Sequence, residues 1–488
     1  MQNPHIHFSD YFNVDPNDIE SYGAFNISLI NDLPLFIDPF LLFNSRKPEY
    51  QSLHDQMIDY LRFLRDKSRK INIKKGLLNR WYSFPEVKQT WLGFSISGNQ
   101  GRGLGLDFAE SLNKNLHNVF KDFGNEKITL GSHLEKLCLI RDGIGKDNIS
   151  DFTTNLIKEY ILTYTQSFAK KFLKNQFLNR FHVEKVRFNY KTESWETGLY
   201  ILPNFHGNYV LLTPKDILTK DDIWINKNDL VTNYDGILST MPNNQLRDQL
   251  NNYLLKILPE DPTPKEKRLA IMNAILNHPE YIEYYIRYKE ENGDNAVSVS
   301  EERVRQTEEL FVTQIKVLSS ILFSTTKFYE ITGDSYSEAR DRVVFLKDVI
   351  ENKGGWRLFY LNEKPITRES DLQILYRLTW FATGYDVSRE VDDGRGPADY
   401  KISYGRRDKT IVEMKLASNP QLKRNLQKQT EIYQKASDAQ KKLKVIIYFN
   451  EKELERVKNI LEELDLITDR DVILIDARSD NKPSASRA

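Results

Sequence analysis

Between Gly394 and Ala417 the chain reads GRGPADYKISYGRRDKTIVEMKLA, two strand-like runs on either side of the basic turn GRRDK. From Ile411 to Ala417 the second run is apolar except at Glu413 and Lys415, and that exception limits the fold more than any other stretch. Side chains alternate along a strand, so Glu413 and Lys415 point to one face while Met414 points to the other. A hairpin register symmetric about Gly405 to Asp408 brings Asp399 of the first run to the same side. Two carboxylates and an ammonium on a strand otherwise suited to a core need a reason other than packing, because buried charge is costly unless it is paired.

The surrounding pattern places this hairpin in an α/β layer. WRLFYL (356–361) is strand-like. TRESDLQILYRLTWFAT (367–383) sets Leu372, Leu375, Leu378 and Trp380 at helical spacing behind a Thr367 or Ser370 cap, and YDVSREV (385–391) is a short strand. After the hairpin come a helix over 419–442, a buried strand KVIIYFN, a helix EKELERVKNILEEL and a last strand DVILIDA. Helix, three strands, helix, strand, helix, strand is the order of an α/β domain with a mixed sheet, here residues 356–488.

Such a trio of charges has a chemical use. Hard divalent ions such as magnesium take one or two carboxylates plus waters and a substrate phosphate. A bound ion lowers the pKa of its water and stabilises charge on a phosphoryl oxygen, and a nearby lysine helps to position or deprotonate that water. The acid-x-lysine tripeptide alone is common: Glu86-Val-Lys88, Glu351-Asn-Lys353 and Asp480-Asn-Lys482 also fit it, and a charged strand face is ordinarily just solvated. All 8 histidines stop at His278 and Cys138 is the 1 cysteine, so HNH, HD and thiolate zinc chemistry lack their ligands in the C-terminal third.

With these residues in this order, residues 356–477 resemble a PD-(D/E)XK nuclease domain, the restriction-endonuclease-like fold. GPAD offers Pro397 and Asp399, separated by Ala398 where the family has an adjacent Pro-Asp, and EMK offers Glu413, Met414 and Lys415. Gln429-Thr-Glu-Ile-Tyr433 matches the Gln-x-x-x-Tyr motif of the RecB-like branch. For the acid expected on the preceding helix, TRESDLQ offers Glu369, with Asp371 as second choice. The resemblance implies that Asp399 and Glu413 bind the metal ion, Mg2+ or Mn2+, joined by the carbonyl of Met414, and that Lys415 orients or activates the attacking water. It implies that Glu369 completes the acidic set directly or through water, and that Gln429 and Tyr433 hold Lys415 and the substrate strand. The implied activity is that of a DNA endonuclease. Around this set Glu390 is either an extension of the metal shell or an ion-pair partner, and Arg395 either a phosphate contact or a shaper of the Gly394–Pro397 bend. Lys423, Arg424 and Lys428 form either a phosphate-binding face or a solvated one.

At 488 residues the chain exceeds what one core ordinarily holds, and two or three domains are expected. Residues 1–295 read as a mainly helical, α+β region, and 296–355 as a long helical connector to the C-terminal domain. In the first region HDQMIDYLRFLRDKSRKI spaces Met57, Tyr60, Leu61 and Leu64 as an amphipathic helix, and SDFTTNLIKEYILTYTQSFAKKFLKN does likewise after a cap at Ser150 or Asp151. Gly98, Gly101, Gly103 and Gly105 precede a helical pattern, but no Gly-Lys-Ser/Thr ending follows, so the stretch reads as a flexible loop, as does RDGIGKDNISD. GLYILPNFHGNYVLL reads as a hairpin around NFHGN. The polar stretch KEENGDNAVSVSEE is expected to separate this region from one long helix, ERVRQTEELFVTQIKVLSSILFSTT, striped by Val304, Phe311, Ile315, Leu318 and Leu322.

Lysine plus arginine equals aspartate plus glutamate at 69 each, so bulk charge names no polyanionic partner and a nucleic-acid role must rest on a site. A single cysteine leaves no intramolecular disulfide framework and suits a reducing cytosol. MQNPHIHFSDYFNVD lacks a basic segment followed by an apolar core, and LPLFIDPFLLF is broken by Asp38-Pro39 and is far short of the roughly 20 residues of a membrane helix, so a cytoplasmic protein is expected. GAFNISLINDLPLFIDPFLLF and SGNQGRGLG are diffusely similar to large bacterial proteins that carry such nucleases, which implies an anti-phage defence setting. A homodimer or higher oligomer and a partner defence protein are the associations to look for. The reading from another class is a catalytically silent nucleic-acid-binding or assembly module whose N-terminal region does the work.

Overall fold

The structure is a computed structural model that describes residues 6–68, 73–93, 126–140, 144–328, 334–380, 386–389, 400–404, 408–433 and 441–482, with single positions between 109 and 124. Of Leu378 and residues 386–389, 400–404, 408–409, 428–433 and 441–442 it describes the backbone.

The first half is mainly helical and is closed by a short ladder between β1 (Leu35–Ile37) and β5 (Leu218–Lys220). Between these lie α1 (Pro39–Phe43), α2 (Pro48–Ser68), α3 (Lys75–Tyr82), α4 (Lys146–Leu156), α5 (Lys158–Phe172), β2 (Leu178–Asn189), β3 (Ser194–Phe205) and β4 (Asn208–Tyr209). LPLFIDPFLLF divides into β1 and α1 because Asp38 caps the helix, accepting the Phe40 N–H at 3.0 Å, and Pro39 sits where no backbone donor is needed. The stripe Met57, Tyr60, Leu61 and Leu64 of α2 is buried as its spacing predicts. The helix expected from Ser150 or Asp151 instead starts at Lys146 behind Gly145, and it breaks at Ile157 into α4 and α5. NFHGN does turn a hairpin: Phe205 pairs with Asn208 across His206 and Gly207, both at positive φ, the backbone a two-residue turn requires. The larger partner of β3 is β2, a ribbon strand that the periodicity of the sequence does not announce.

Next come α6 (Asn244–Ile257), α7 (Pro264–Asn277), α8 (Glu280–Glu291) and α9 (Gly293–Glu308). The polar stretch expected as a separator is the end of α8 and the start of α9. Its polarity has another cause. Lys289 and Glu290 are buried ion-pair partners, of Asp229 at 2.8 Å and of His133 at 2.9 Å. Then α9 runs through a π-helical turn, Glu309–Gln314, into α10 (Ile315–Thr325), giving the long helix expected, and Nε2 of His7 donates to the Phe311 carbonyl at 2.8 Å.

The second half comprises α11 (Ser335–Asn352), β6 (Tyr360–Leu361), β7 (Lys364–Pro365), α12 (Glu369–Thr379), β8 (Asp386–Arg389), β9 (Tyr400–Tyr404), β10 (Asp408–Leu416), α13 (Leu422–Tyr433), β11 (Lys441–Tyr448), α14 (Glu451–Glu463) and β12 (Val472–Asp476). Five strands form one mixed sheet in the order β12-β11-β10-β9-β8, antiparallel from β8 to β10 and parallel from β10 to β12. WRLFYL is not part of it. Gly355–Phe359 forms a 3-10 turn, and Tyr360–Leu361 pairs with β7 in a separate two-stranded hairpin. The cap of α12 is Arg368, whose side chain makes no capping bond, rather than Thr367 or Ser370.

One face of the sheet, through Val412, Met414, Leu416, Val445 and Ile447, joins a core that is continuous from Ile6 to Ala477. The other face, through Ile446 and Tyr448, packs with Leu422 and Leu426 of α13 and Leu454, Val457 and Ile460 of α14. Among the described residues no helix is long and apolar enough to cross a membrane.

Candidate active site

The centre of the mixed sheet is β10, and every residue from Thr410 to Ala417 is buried. Alternation gives Val412, Met414 and Leu416 to the large core, and leaves Glu413 and Lys415 on the opposite face, 3% and 4% exposed. A lysine at that depth requires a counter-charge. It has one in Glu369, at the first turn of α12, whose Oε2 lies 3.7 Å from Lys415 Nζ. The same carboxylate accepts the Leu416 N–H at 3.2 Å and the Asn419 side-chain amide at 2.7 Å. Asn419 and Ala417 are held in turn by Arg456 of α14, which donates to both carbonyls at 2.8 Å. The end of β10 therefore fixes the carboxylate that faces its own lysine.

In the parallel ladder Glu413 stands beside Lys444 of β11, itself 7% exposed. Sequence reasoning missed Lys444 as part of this face, although a lysine between Leu443 and Val445 in an otherwise apolar strand was the available signal.

The remaining expectations divide. Asp371, the second choice for the helix acid, is placed elsewhere: it is buried against Lys220 of β5 at 3.2 Å, a link between the two halves of the chain. Asp399, Glu390 and Arg395 lie outside the described residues. The register beside them pairs Tyr404 with Asp408 and Tyr400 with Val412, one residue away from a hairpin symmetric about Gly405 to Asp408. Gln429 and Tyr433 lie in α13, whose Leu422 and Leu426 pack on the sheet, so they belong to an element that covers the face of Glu413 and Lys415, while their side chains lie outside the description. The Met414 side chain is in the core, which leaves only its backbone for a ligand role. Lys423 is paired with Glu463 of α14, while Arg424 is exposed and the Lys428 side chain lies outside the description.

Among the described residues no three His, Cys, Asp or Glu side chains come together as a metal-binding group. The donors that are described, Glu413 and Glu369, offer carboxylate oxygens, which suit Mg2+ or Mn2+.

A second concentration of buried titratable groups lies in the first half, and no local pattern in the sequence points to it. Asp38 accepts the Phe40 and Trp224 N–H groups at 3.0 and 2.7 Å, and burial together with the neighbouring Glu135 pushes its carboxyl up to about 7. Glu135 is fully buried, its oxygens accept no hydrogen bond among the described residues, and burial raises its carboxyl as well. Burial thus keeps a proton on the Asp38–Glu135 pair above the ordinary carboxylate range. Burial and His133 push His54 down to about 3, and burial raises the Cys138 thiol, which donates to the Glu135 carbonyl. His54 and Cys138 are therefore neutral core polarity at neutral pH.

Residues 13–226 match the family model described as a domain of unknown function (DUF8370), which takes in β1 to β5 with Asp38 and Glu135. Residues 335–451 match a second, also a domain of unknown function (DUF8371), which begins with α11 and takes in Glu369, Glu413, Lys415 and Tyr433. The second match spans α11 together with the sheet it packs on. Nothing among the curated proteins or the solved structures matches the chain.

Proposed function

We propose that the C-terminal unit is a divalent-metal-dependent nuclease of the PD-(D/E)XK kind, hydrolysing phosphodiester bonds of DNA endonucleolytically in an anti-phage defence setting. One observation carries this reading: Glu413 and Lys415 are buried on the same face of the central strand of a mixed sheet, and Glu369 stands 3.7 Å from Lys415. A sheet that only packs gains nothing from these charges.

In this reading Glu413, the Met414 carbonyl and Asp399 would hold the ion, which would lower the pKa of a water and stabilise charge at the phosphoryl oxygen. Lys415, fixed by Glu369, would orient the attacking water. As the water oxygen bonds to phosphorus, the opposite ester P–O bond breaks and its oxygen takes up a proton. Lys444, beside Glu413 in the ladder, places a second lysine on this face. A second reading, a binding or assembly module without turnover, is favoured by the Lys415–Glu369 pair itself, which would be equally stable with no substrate chemistry.

The test is cleavage of supercoiled plasmid, linear duplex, single-stranded DNA and RNA by the full chain with Mg2+, Mn2+ or EDTA, beside Asp399→Ala, Glu413→Gln and Lys415→Ala. Metal-dependent cutting of DNA that all three folded variants lose supports the nuclease. Wild-type rates in those variants, or no cutting of any substrate, sink it.

A further inference from the structure

Along β2, where it meets α3 and α5, the protein gathers an excess of cations in two places. Two open grooves lie there. One, of about 590 Å³, is lined by Lys74, Gly76, Leu77, Asn79 and Arg80 at the start of α3 and by Lys185 of β2. The other, of about 480 Å³, is lined by Lys170, Asn175, Leu178, Asn179, Arg180 and Ile201. Neither lining contains a carboxylate. Among the described residues none of Lys74, Arg80, Lys170, Arg180 and Lys185 forms an ion pair, whereas Arg187 on the same ribbon is paired with both Glu159 and Glu196.

The first groove is built by strained backbone. The β2–β3 register shifts between Val183 and Arg187, and Lys185 within that bulge takes φ 52°, a left-handed conformation that a residue with a side chain rarely adopts. The bulge turns Lys185 toward Arg80 and Lys158, and each of these cations holds its neighbour's charge in check: Lys158 is pushed down to about 8 by burial and by Lys185, and Lys185 is lowered by burial and by Arg80, with Glu184 opposing in both cases. Such crowding is relieved by an anion.

The two grooves are also spaced for a repeating anion. Lys158 lies at the start of α5, its Nζ donating to the Glu184 carbonyl, and Lys170 lies near the other end of that helix. At ~1.5 Å per residue the two are about 18 Å apart. From Arg180 to Lys185 along β2, at ~3.3 Å per residue, the separation is about 16 Å. Either span equals about five base steps of a duplex at ~3.4 Å each. The groove linings hold cations and amides but no aromatic ring, which is the chemistry of backbone contact, since single strands are gripped by stacking on aromatic side chains.

We propose that the seam between α5 and β2, with the start of α3, is a docking surface for the phosphate backbone of duplex DNA, remote in sequence from the cleavage site and holding the substrate in both grooves at once. The choice of DNA over other duplexes rests on the nuclease reading; the surface itself does not.

The experiment is fluorescence anisotropy of a labelled short DNA duplex with the full chain in EDTA, so that binding is read without cleavage. The double variants Arg80→Ala/Lys185→Ala and Lys170→Ala/Arg180→Ala should each weaken binding about tenfold and lower the slope of log affinity against log salt by about two. Lys265→Ala, an exposed lysine of α7, should match the wild type. Thermal unfolding checks that the double variants are folded, and Lys170→Glu/Arg180→Glu, a change confined to exposed positions, repeats the test by charge reversal. Wild-type affinity in both double variants overturns the inference, as does tighter binding of single strands or of duplex RNA than of duplex DNA, or no DNA binding by the wild type. Cleavage run in parallel with Mg2+ separates the two ideas. Binding lost in the double variants while the wild type never cuts leaves the surface standing and removes the nuclease; cutting with unchanged binding does the reverse.

Discussion

Two strands of this protein carry charge, and they carry it in opposite ways. On β10 the charges are few and buried: Glu413 and Lys415 are almost inaccessible, with Glu369, Asn419 and Lys444 arranged around them. On β2 the charges are more numerous and mostly exposed, and the strand is held by its pairing with β3 rather than by a core on both faces. The difference teaches where to look for chemistry. An exposed charge costs the fold little and therefore says little alone, whereas a buried lysine and glutamate on a central strand must be compensated by neighbours whose placement is itself informative.

Substitutions test that contrast. The largest effect is expected at β10, where Lys415→Met should lower DNA cleavage about a thousandfold and also cost about 2 kcal/mol of stability, since Glu369 and Glu413 lose the cation that faces them. A loss of stability without a loss of cutting would show the charge to be structural and would collapse the contrast. Next is the buried pair that joins the halves: Asp371→Ala leaves Lys220 buried without its partner and should cost about 3 kcal/mol or more in a urea titration, with cleavage falling only as folded protein is lost.

A smaller effect depends on pH. Native Glu135 and Asp38 hold a proton that the unfolded chain has released above the ordinary carboxylate range, so stability is full below about pH 4 on this account and declines as pH rises toward the raised native values. The slope is at most about 1.4 kcal/mol per pH unit for each proton. Glu135→Gln, which fixes the neutral form, should flatten the fall in melting temperature between pH 5 and 7, the latter the value near which Asp38 titrates. An unchanged slope would place the proton elsewhere. Smallest of all, Glu196→Ala on the exposed ribbon should leave the melting temperature where it was, although it breaks the contact with Arg187. A clear drop there would mean that exposed charge on β2 supports the fold after all.

The sequence made β10 legible because one short run combined apolar alternation with two misplaced charges, and made α9 with α10 legible because their stripe survives the π turn between them. Other features were hidden for identifiable reasons. The period of β2 is interrupted at its bulge, and its outward positions are charged as a loop's would be. The polarity of Lys289 and Glu290 resembles that of a linker until their partners, Asp229 and His133, are brought in from distant parts of the chain. The hairpin register was off by one because turn composition does not fix loop length in GRRDK. Lys444 and Asn419 acquire meaning only through the ladder and the turn that set them beside Glu413 and Glu369.

The core that runs unbroken from Ile6 to Ala477, with Lys220 locked to Asp371 across it, bears on how such a chain can change over generations. A break at residue 355 would strip cover from Phe359, Ile366, Leu372 and Leu375, leaving the shorter product with a sticky apolar flank. Recombination that grafted the second half onto a different first half would need to bring β5 or an equivalent lysine with it. Each half therefore constrains which substitutions the other tolerates along their shared core.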